Sequence, residues 1–202
     1  TITFMRVALL NDTHFGARND SHAFLEYFFK FYDNIFFPYL EKNKIDTVIH
    51  LGDIVDRRKF INYTILNRLK TDFLFKLKRM GVDFHVIIGN HDVPYRNTNK
   101  INALQELFGV DQGESYPKFY SEATDINLGG VDLCLLPWIN NSNYTSTLQH
   151  IKSTRAQIAL GHLEISGFHM NKDMISDHGL QPSILQGFDL VLSGHYHTKS
   201  NQ

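Results

Sequence analysis

The chain has 202 residues, of which 43% are hydrophobic and 20% are charged, and its formal net charge at pH 7 is -1 with an isoelectric point near 6.8. This length and composition are typical of one globular domain with a sizeable core, and the near-neutral charge gives no general argument for nucleic acid, membranes or acidic partners, so any such preference must be local. The single cysteine, Cys134, excludes an internal disulfide and a cysteine-based zinc cluster.

The sequence carries no sign of membrane insertion or export. No apolar stretch approaches the ~20 residues that span a bilayer, and the N-terminus has no basic-then-apolar signal pattern. Together with the single cysteine, these features predict a protein without membrane contact in a reducing, cytoplasmic compartment, which would be the host cytoplasm if the protein is viral.

Short apolar runs bounded by turn residues recur along the chain. They are RVALL (6–10), TVIHL (47–51), FHVIIG (84–89), VDLCLLP (131–137), QIALG (157–161) and DLVLSG (189–194). Most are too short and too rich in β-branched residues for helices, so we predict that they form buried strands.

Two helical segments are predicted between the first three of these strands. Their apolar stripes are Phe24, Phe28, Phe31 and Ile35 in the first, and Ile65, Leu69, Phe73, Leu77 and Met80 in the second. Ser21 is a typical N-cap for the first segment, Pro38 is expected to kink or end it, and Gly81 follows the second. Strands that alternate with helices predict a mostly parallel βαβ arrangement, and Gly129–Gly130 predicts a hairpin, so we expect one α/β sandwich.

Five of the predicted strands end in a turn that carries Asp, Asn or His, and four of these turns begin with glycine. The turns are NDTH (11–14), GDIVDRR (52–58), GNHD (89–92), GHLE (161–164) and GHYH (194–197). Taken singly, Asp and Asn are common turn formers and a lone histidine is usually structural. Turn formation alone does not explain why five turns share this placement. A common binding site does, because open α/β folds gather their ligand groups at strand ends.

A cluster of Asp, Asn and His side chains without cysteine favours Mn, Fe, Zn or a similar divalent ion. Seven such ligands are too many for one tetrahedral zinc ion, whereas two ions that share one carboxylate would use them. Two metals about 3.5–4 Å apart are typical of sites that hydrolyse phosphoesters.

The ordered set Asp-x-His, Gly-Asp-x-x-Asp, Gly-Asn-His-Asp, Gly-His-x-Glu and Gly-His-x-His resembles the calcineurin-like metallophosphoesterases across nearly the whole chain. The resemblance implies their fold, an α/β/β/α sandwich of two mixed sheets flanked by helices, and a metal-dependent phosphoester hydrolase. It implies that one ion is bound by Asp12, His14, Asp53 and His197, and the second by Asp53, Asn90, His162 and His195.

Three further residues near these ligands have expected roles, of which that of His91 is implied by the same resemblance. His91 corresponds to the histidine that does not bind metal in the family and that stabilises the transition state or protonates the leaving oxygen. Asp56 and Asp92 are expected to orient histidines and loop amides rather than to bind metal.

Five stretches carry a finer resemblance: GDIVDRRK (52–59), IIGNHDVPYRN (87–97), LLPW (135–138), GHLEISGF (161–168) and SDHGL (176–180). They resemble the recombination and double-strand-break repair nucleases of the SbcD and T-even phage type. This resemblance implies a Mn-dependent DNA exonuclease and endonuclease, with Mg, Fe or Zn as other candidate ions, that works beside an SMC-like coiled-coil ATPase. A homodimer is compatible with it. Because these nucleases continue beyond Gly-His-x-His, we expect residues 1–202 to be a single nuclease domain without the C-terminal cap and ATPase-binding regions.

Basic and aromatic residues follow two of the polar turns and are candidates for phosphate or DNA contacts: Arg57, Arg58, Lys59, Tyr95 and Arg96. A solvated helix face explains most of the basic charge between residues 57 and 80. Two alternatives stay open: a phosphatase or small-molecule phosphodiesterase with the same core, and an inert interaction scaffold with the same fold.

Overall fold

The computed structural model describes residues 5–109, 115–171, 174–175 and 178–197. Its strands are β1 (Val7–Leu10), β2 (Thr47–His50), β3 (Asp83–Ile87), β4 (Lys118–Tyr120), β5 (Thr124–Leu128), β6 (Val131–Leu136), β7 (Ile158–His162), β8 (His169–Asn171), β9 (Met174–Ile175) and β10 (Leu190–Gly194). Its α-helices are α1 (His22–Phe31), α2 (Phe37–Asn43), α3 (Tyr63–Arg68), α4 (Phe75–Arg79), α5 (Ala103–Phe108) and α6 (Tyr144–Ser153), and Pro182–Leu185 form a 3-10 turn.

Eight of the strands form two four-stranded sheets. The first has the order β1-β2-β3-β4 and the second the order β10-β7-β6-β5, while β8 and β9 form a separate antiparallel pair. The predicted α/β/β/α sandwich is confirmed, with one difference: all pairs of the first sheet are parallel, and mixed strand directions occur only in the second. There β5 and β6 form the antiparallel hairpin predicted at Gly129–Gly130.

Three apolar cores join the layers. The core between the sheets contains Ile49, Leu51, Ile87, Leu133, Leu135 and Leu160. The core between the first sheet and its helices includes Tyr32, Phe36, Phe37, Val48, Phe73 and Phe84, and the core outside the second sheet includes Cys134, Leu136, Ala159, Leu163 and Leu185. Alternate side chains of a strand therefore enter different cores, as Val48 and Ile49 of β2 do.

The first helical segment begins as predicted but continues past Pro38. The Oγ atom of Ser21 accepts a hydrogen bond of 3.3 Å from the Phe24 N–H and caps α1. A π-helical turn, Tyr32–Phe36, follows, and Pro38 lies in the first turn of α2, where a residue without an N–H is tolerated. Of the predicted kink or end at Pro38, the end is therefore wrong, because the π turn is followed by a new α-helix that begins at Phe37.

The second helical segment consists of α3, a π-helical turn (Leu69–Leu74) and α4, and the chain turns at Gly81 with a φ of 73°. None of the helices in the described part of the chain has the length and hydropathy of a membrane span.

Candidate metal centre

The five polar turns meet at one edge of the sandwich because the strands before them run parallel within each sheet. Main-chain hydrogen bonds join the first two turns: the Asp12 N–H donates to the Gly52 carbonyl at 3.1 Å, and the His14 N–H donates to the Asp53 carbonyl at 3.0 Å. The two sheets are also tied together here, since the Trp138 N–H donates to the Ile88 carbonyl at 2.8 Å.

One group of side chains comes from the turns after β1 and β10. The Nε2 atoms of His14 and His197 lie 3.3 Å apart, and each lies within 3.8 Å of Asp12 Oδ1, at 3.8 Å and 3.6 Å respectively. The Asp12 carboxylate in turn accepts the His195 N–H at 3.2 Å, so the β10 turn is held against the β1 turn.

A second group comes from the turns after β3, β7 and β10. Asn90 Oδ1 lies 2.9 Å from His162 Nε2 and 2.9 Å from His195 Nδ1. The Asp53 carboxylate lies between the two groups, because its Oδ2 atom is 3.4 Å from His162 Nε2 and 3.6 Å from His14 Nε2. The structure thus brings all seven predicted ligands together.

The hydrogen bonds of His162 test whether this arrangement suits a cation. Its Nδ1 atom lies 2.7 Å from the Leu51 carbonyl, which can only accept, so Nδ1 carries a proton. In the neutral ring Nε2 then presents a lone pair to Asn90 Oδ1 and Asp53 Oδ2, which are also acceptors. Three facing acceptors are stable only around a positive charge, and nitrogen and oxygen donors without sulfur suit a divalent ion.

Four of the eight described non-glycine residues with a positive φ are predicted ligands. Asp12, His14, Asp53 and His195 have φ values of 50°, 41°, 59° and 89°, in the left-handed region that disfavours residues with a Cβ atom. Each such residue costs on the order of 1–3 kcal/mol and persists only where its surroundings fix it, as at ligand sites.

Two glycines make the close packing of the site possible. Gly52 has a φ of 95°, and a Cβ atom there would lie 2.4 Å from His162 Nδ1. A Cβ atom at Gly89 would lie 2.2 Å from Asp53 Oδ1. Both positions therefore require glycine so that the Asp53 carboxylate and the His162 ring can occupy their places.

Titration favours an ionised Asp53 carboxylate and neutral His195 and His14 rings. At His162, by contrast, burial is outweighed by the hydrogen bond and charge of Asp53, which raise the pKa of that ring. Burial alone would raise the pKa of Asp53, but the hydrogen bond and charge of His162 and the His91 N–H outweigh it and hold that pKa well below its ordinary value. Burial, followed by the charge of His162, lowers the pKa of His195 to about 4. Burial also lowers the pKa of His14.

Asp92 lies beneath the predicted ligands and supports their main chain. Its side chain is fully buried and accepts four main-chain N–H groups, from Asp53 at 2.9 Å, Ile54 at 2.9 Å, Val55 at 3.1 Å and Gly89 at 2.8 Å. This carboxylate therefore fixes the strained backbone that presents the Asp53 side chain.

Replacing Asp92 by Asn is expected to lower the free energy of unfolding by about 2–3 kcal/mol, because an amide offers one acceptor oxygen to the N–H donors and leaves others buried and unsatisfied. Urea unfolding of the metal-free protein measures this change. Asp132→Asn on the exposed hairpin is the matched control, and equal unfolding midpoints for the two variants would contradict the role of Asp92.

His91 lies beside the centre. Its N–H donates to Asp53 Oδ1 at 2.7 Å, and its Nδ1 lies 2.5 Å from the main-chain carbonyl of Asp56. Because that carbonyl can only accept, Nδ1 carries a proton and Nε2 is the ring atom that remains for a ligand. The Asp56 carboxylate lies 3.4 Å from His14 Nδ1.

A cleft of about 700 Å³ opens over the centre and is lined by Asp12, His14, His91, His197 and other residues of these turns. Its far wall is aromatic: the rings of Phe24 and Phe28 lie 5.0 Å apart, edge to face, and the Arg18 guanidinium lies 5.9 Å above the Phe24 ring. The cleft therefore combines a polar floor with an apolar wall.

Three of the five predicted phosphate contacts, Arg57, Arg58 and Lys59, line a second hollow of about 360 Å³, which also includes His91, Asp56 and Phe60. Arg57 is paired with Asp20 at 3.0 Å, and the Lys59 ammonium lies 5.5 Å above the Tyr95 ring. Arg96 is exposed. Residues 176–177 of the SDHGL stretch lie outside the described residues.

Three residues near the centre had no predicted role. The Trp138 ring lies 5.3 Å from the His195 ring and 6.4 Å from the His162 ring. His50 is fully buried beneath the site with Nε2 3.0 Å from Thr13 Oγ1, and burial, then the charge of His162, lowers its pKa to about 3. His50 is the last residue of β2 and lies three residues before Asp53. This position is the signal that could have indicated that His50 lies beneath the site.

Comparison with known proteins agrees with this fold. The family described as calcineurin-like phosphoesterase matches residues 5–199. The chain therefore belongs to the calcineurin-like phosphoesterases, a family of metal-dependent phosphoester hydrolases, and the resemblance in its ordered motifs is confirmed.

Two relatives show where the similarity lies. The chain is 38% identical over 164 residues to exonuclease subunit 1 of Enterobacteria phage T4, a match that covers 80% of this chain and 46% of the phage protein. It is 27% identical over 142 residues to the DNA double-strand break repair protein Mre11 of Methanosarcina acetivorans, which covers 69% of this chain and 22% of that protein. The matches thus span less than half the length of either relative.

Proposed function

We propose that the protein is a two-metal-dependent phosphodiesterase that cleaves DNA, a Mn-dependent exonuclease and endonuclease subunit in recombination and double-strand-break repair. The observation that carries this proposal is the position of Asp53, whose Oδ2 atom lies within 3.6 Å of imidazole nitrogens from both groups of ligands. A carboxylate so placed can serve two cations at once, which is the arrangement used for phosphoester hydrolysis.

The seven predicted ligands and His91 have separate proposed roles. One ion would be held by Asp12, His14, Asp53 and His197, and the other by Asp53, Asn90, His162 and His195. When bound, two such ions stabilise the charge that develops on the phosphoryl oxygens and make water a better nucleophile. His91, held through Nδ1 by the Asp56 carbonyl, would donate a proton from Nε2 to the leaving oxygen.

The surroundings of the centre favour DNA over a small phosphate ester. The aromatic wall of Phe24 and Phe28 suits a nucleobase, because bases stack on aromatic rings with little dependence on sequence. Arg58 and its basic neighbours beside His91 suit the phosphates of a strand.

The relatives support the same substrate and suggest a partner. One is named an exonuclease subunit and the other a DNA double-strand break repair protein. We therefore propose that residues 1–202 act as one nuclease domain, in the cytoplasm, together with an SMC-like coiled-coil ATPase.

Removing the metal ions tests the function most directly. After treatment with EDTA and dialysis, we expect no cleavage of linear double-stranded or circular single-stranded DNA, because the facing acceptors of the centre cannot act on a phosphate without cations. Addition of Mn²⁺ is expected to restore cleavage, and Mg²⁺, Zn²⁺ and Fe²⁺ are compared at equal concentration.

The two alternatives give different results in the same assay. Cleavage of p-nitrophenyl phosphate or bis(p-nitrophenyl) phosphate but of neither DNA would indicate a phosphatase or small-molecule phosphodiesterase. Protein that takes up no metal and cleaves none of these compounds would indicate a scaffold.

A further inference from the structure

Arg58 differs from the other arginines near the candidate metal centre in having no partner for a buried donor. Its Nη1 atom is enclosed by protein and makes no hydrogen bond within the described part of the chain. Arg57, the next residue, is paired with Asp20 at 3.0 Å and with Asn19 Oδ1 at 2.5 Å. An enclosed N–H without an acceptor is unfavourable, and because no acid of the described chain pairs with Arg58, the part of its guanidinium that lines a surface hollow is left for an anionic ligand.

The charges around Arg58 indicate the sign of that ligand. Arg96 acts on Arg58 as a neighbouring positive charge, and the carboxylate that acts on it is that of Asp53, which belongs to the metal centre. The Asp56 carboxylate at the edge of the same hollow lies 3.4 Å from His14 Nδ1, so within the described part of the chain Arg58 has no carboxylate partner of its own and attracts an anion. A guanidinium presents paired N–H donors that match a phosphate group.

The position of Arg58 indicates which phosphate of the substrate it would bind. Arg58 lines the hollow of about 360 Å³ that also contains His91 and Asp56. These two residues also line the main cleft, so the hollow and the cleft adjoin. Since His91 is proposed to protonate the leaving oxygen, the hollow lies on the side from which the leaving fragment departs.

We propose that Arg58 binds the phosphate next to the scissile one on the leaving fragment. This inference rests on the proposed function and adds a substrate requirement to it. The preferred substrate carries a second phosphate beyond the bond that is cleaved, as an oligonucleotide does and a simple diester does not.

Three thymidine dinucleotides test the proposal: one without a terminal phosphate, one with a 5′-phosphate and one with a 3′-phosphate. Including both ends makes the test independent of cleavage polarity. For the wild type with Mn²⁺, we expect one terminal phosphate to raise kcat/KM by roughly 10- to 150-fold, the range for a hydrogen bond to a charged group. In Arg58→Gln the same phosphate is expected to change kcat/KM by less than about twofold, since the charged donor is gone.

Three further variants separate this role from a general loss of charge. Arg58→Lys keeps the charge without the paired donors and is expected to retain part of the gain. Arg57→Gln removes the adjacent charge, and Arg155→Gln makes the same change at an exposed arginine before β7; both are expected to retain the gain. Thermal unfolding of each variant confirms that it folds.

The outcomes separate the inference from the proposed function. A gain in Arg58→Gln as large as that of the wild type, or a gain lost equally in Arg57→Gln, would overturn the role of Arg58 while leaving the nuclease intact. Cleavage of DNA by the wild type with no effect of either terminal phosphate would do the same. A wild type that cleaves no phosphodiester would overturn the proposed function and this inference with it.

Discussion

His91→Gln is expected to lower kcat for DNA cleavage by about 10²- to 10⁴-fold, the usual contribution of a positioned general acid. Its imidazole is held through Nδ1 by the Asp56 carbonyl and borders the cleft, and glutamine has no proton to give at neutral pH. The main-chain N–H of residue 91, which donates to Asp53 Oδ1, is kept in the variant. Mn²⁺ content per chain is therefore expected to equal that of the wild type.

The measurement combines single-turnover cleavage with metal analysis of the same sample. His150→Gln is the matched control, because His150 lies on α6 beside Asp125 and does not line the cleft. Full activity in His91→Gln would refute the proposed proton donor, and loss of Mn²⁺ would show that His91 acts as a ligand instead.

Gly89→Ala is expected to lower activity by about 10²-fold, since displacing a reacting group by about 1 Å has that effect. The added methyl group would lie 2.2 Å from Asp53 Oδ1 and 2.3 Å from the Asp53 nitrogen, so the carboxylate between the two ligand groups must move. Unlike Gly52, Gly89 has no positive φ, and the effect is therefore steric rather than conformational. Weaker Mn²⁺ binding is expected to accompany the loss of activity.

Gly187→Ala provides the control for this change, because a methyl group there meets no atom within 4 Å. Calorimetric titration with Mn²⁺ and thermal unfolding are carried out on both variants. If Gly89→Ala folds and binds two ions with wild-type affinity, the Asp53 carboxylate does not occupy the central position that the structure gives it.

The polar turns can be predicted from the sequence because each follows a short apolar run, and glycine begins four of them. Their meeting point can be predicted as well, since parallel strands bring their carboxyl ends to one edge. The hairpin at Gly129–Gly130 follows from similarly local information.

Other features depend on contacts that no local pattern contains. Asp92 looks like one more polar turn residue, and only the folded backbone shows that four N–H groups point at it. Trp138 approaches His195 only because the second sheet packs on the first. The prediction that Pro38 kinks or ends a helix did not include the π turn Tyr32–Phe36, in which the Tyr32 ring packs 4.9 Å from the Phe73 ring of the second helical segment.

The peptide segment from Leu51 to Asp56 contacts two imidazoles that have different proposed tasks. The Leu51 carbonyl orients His162, a proposed ligand, and the Asp56 carbonyl orients His91, the proposed proton donor. A substitution that loosens this segment would therefore weaken cation affinity and proton delivery in the same step. Substitutions in this segment are therefore expected to change both properties together, whereas substitutions at Phe24 or Arg58 are expected to change contacts with the substrate.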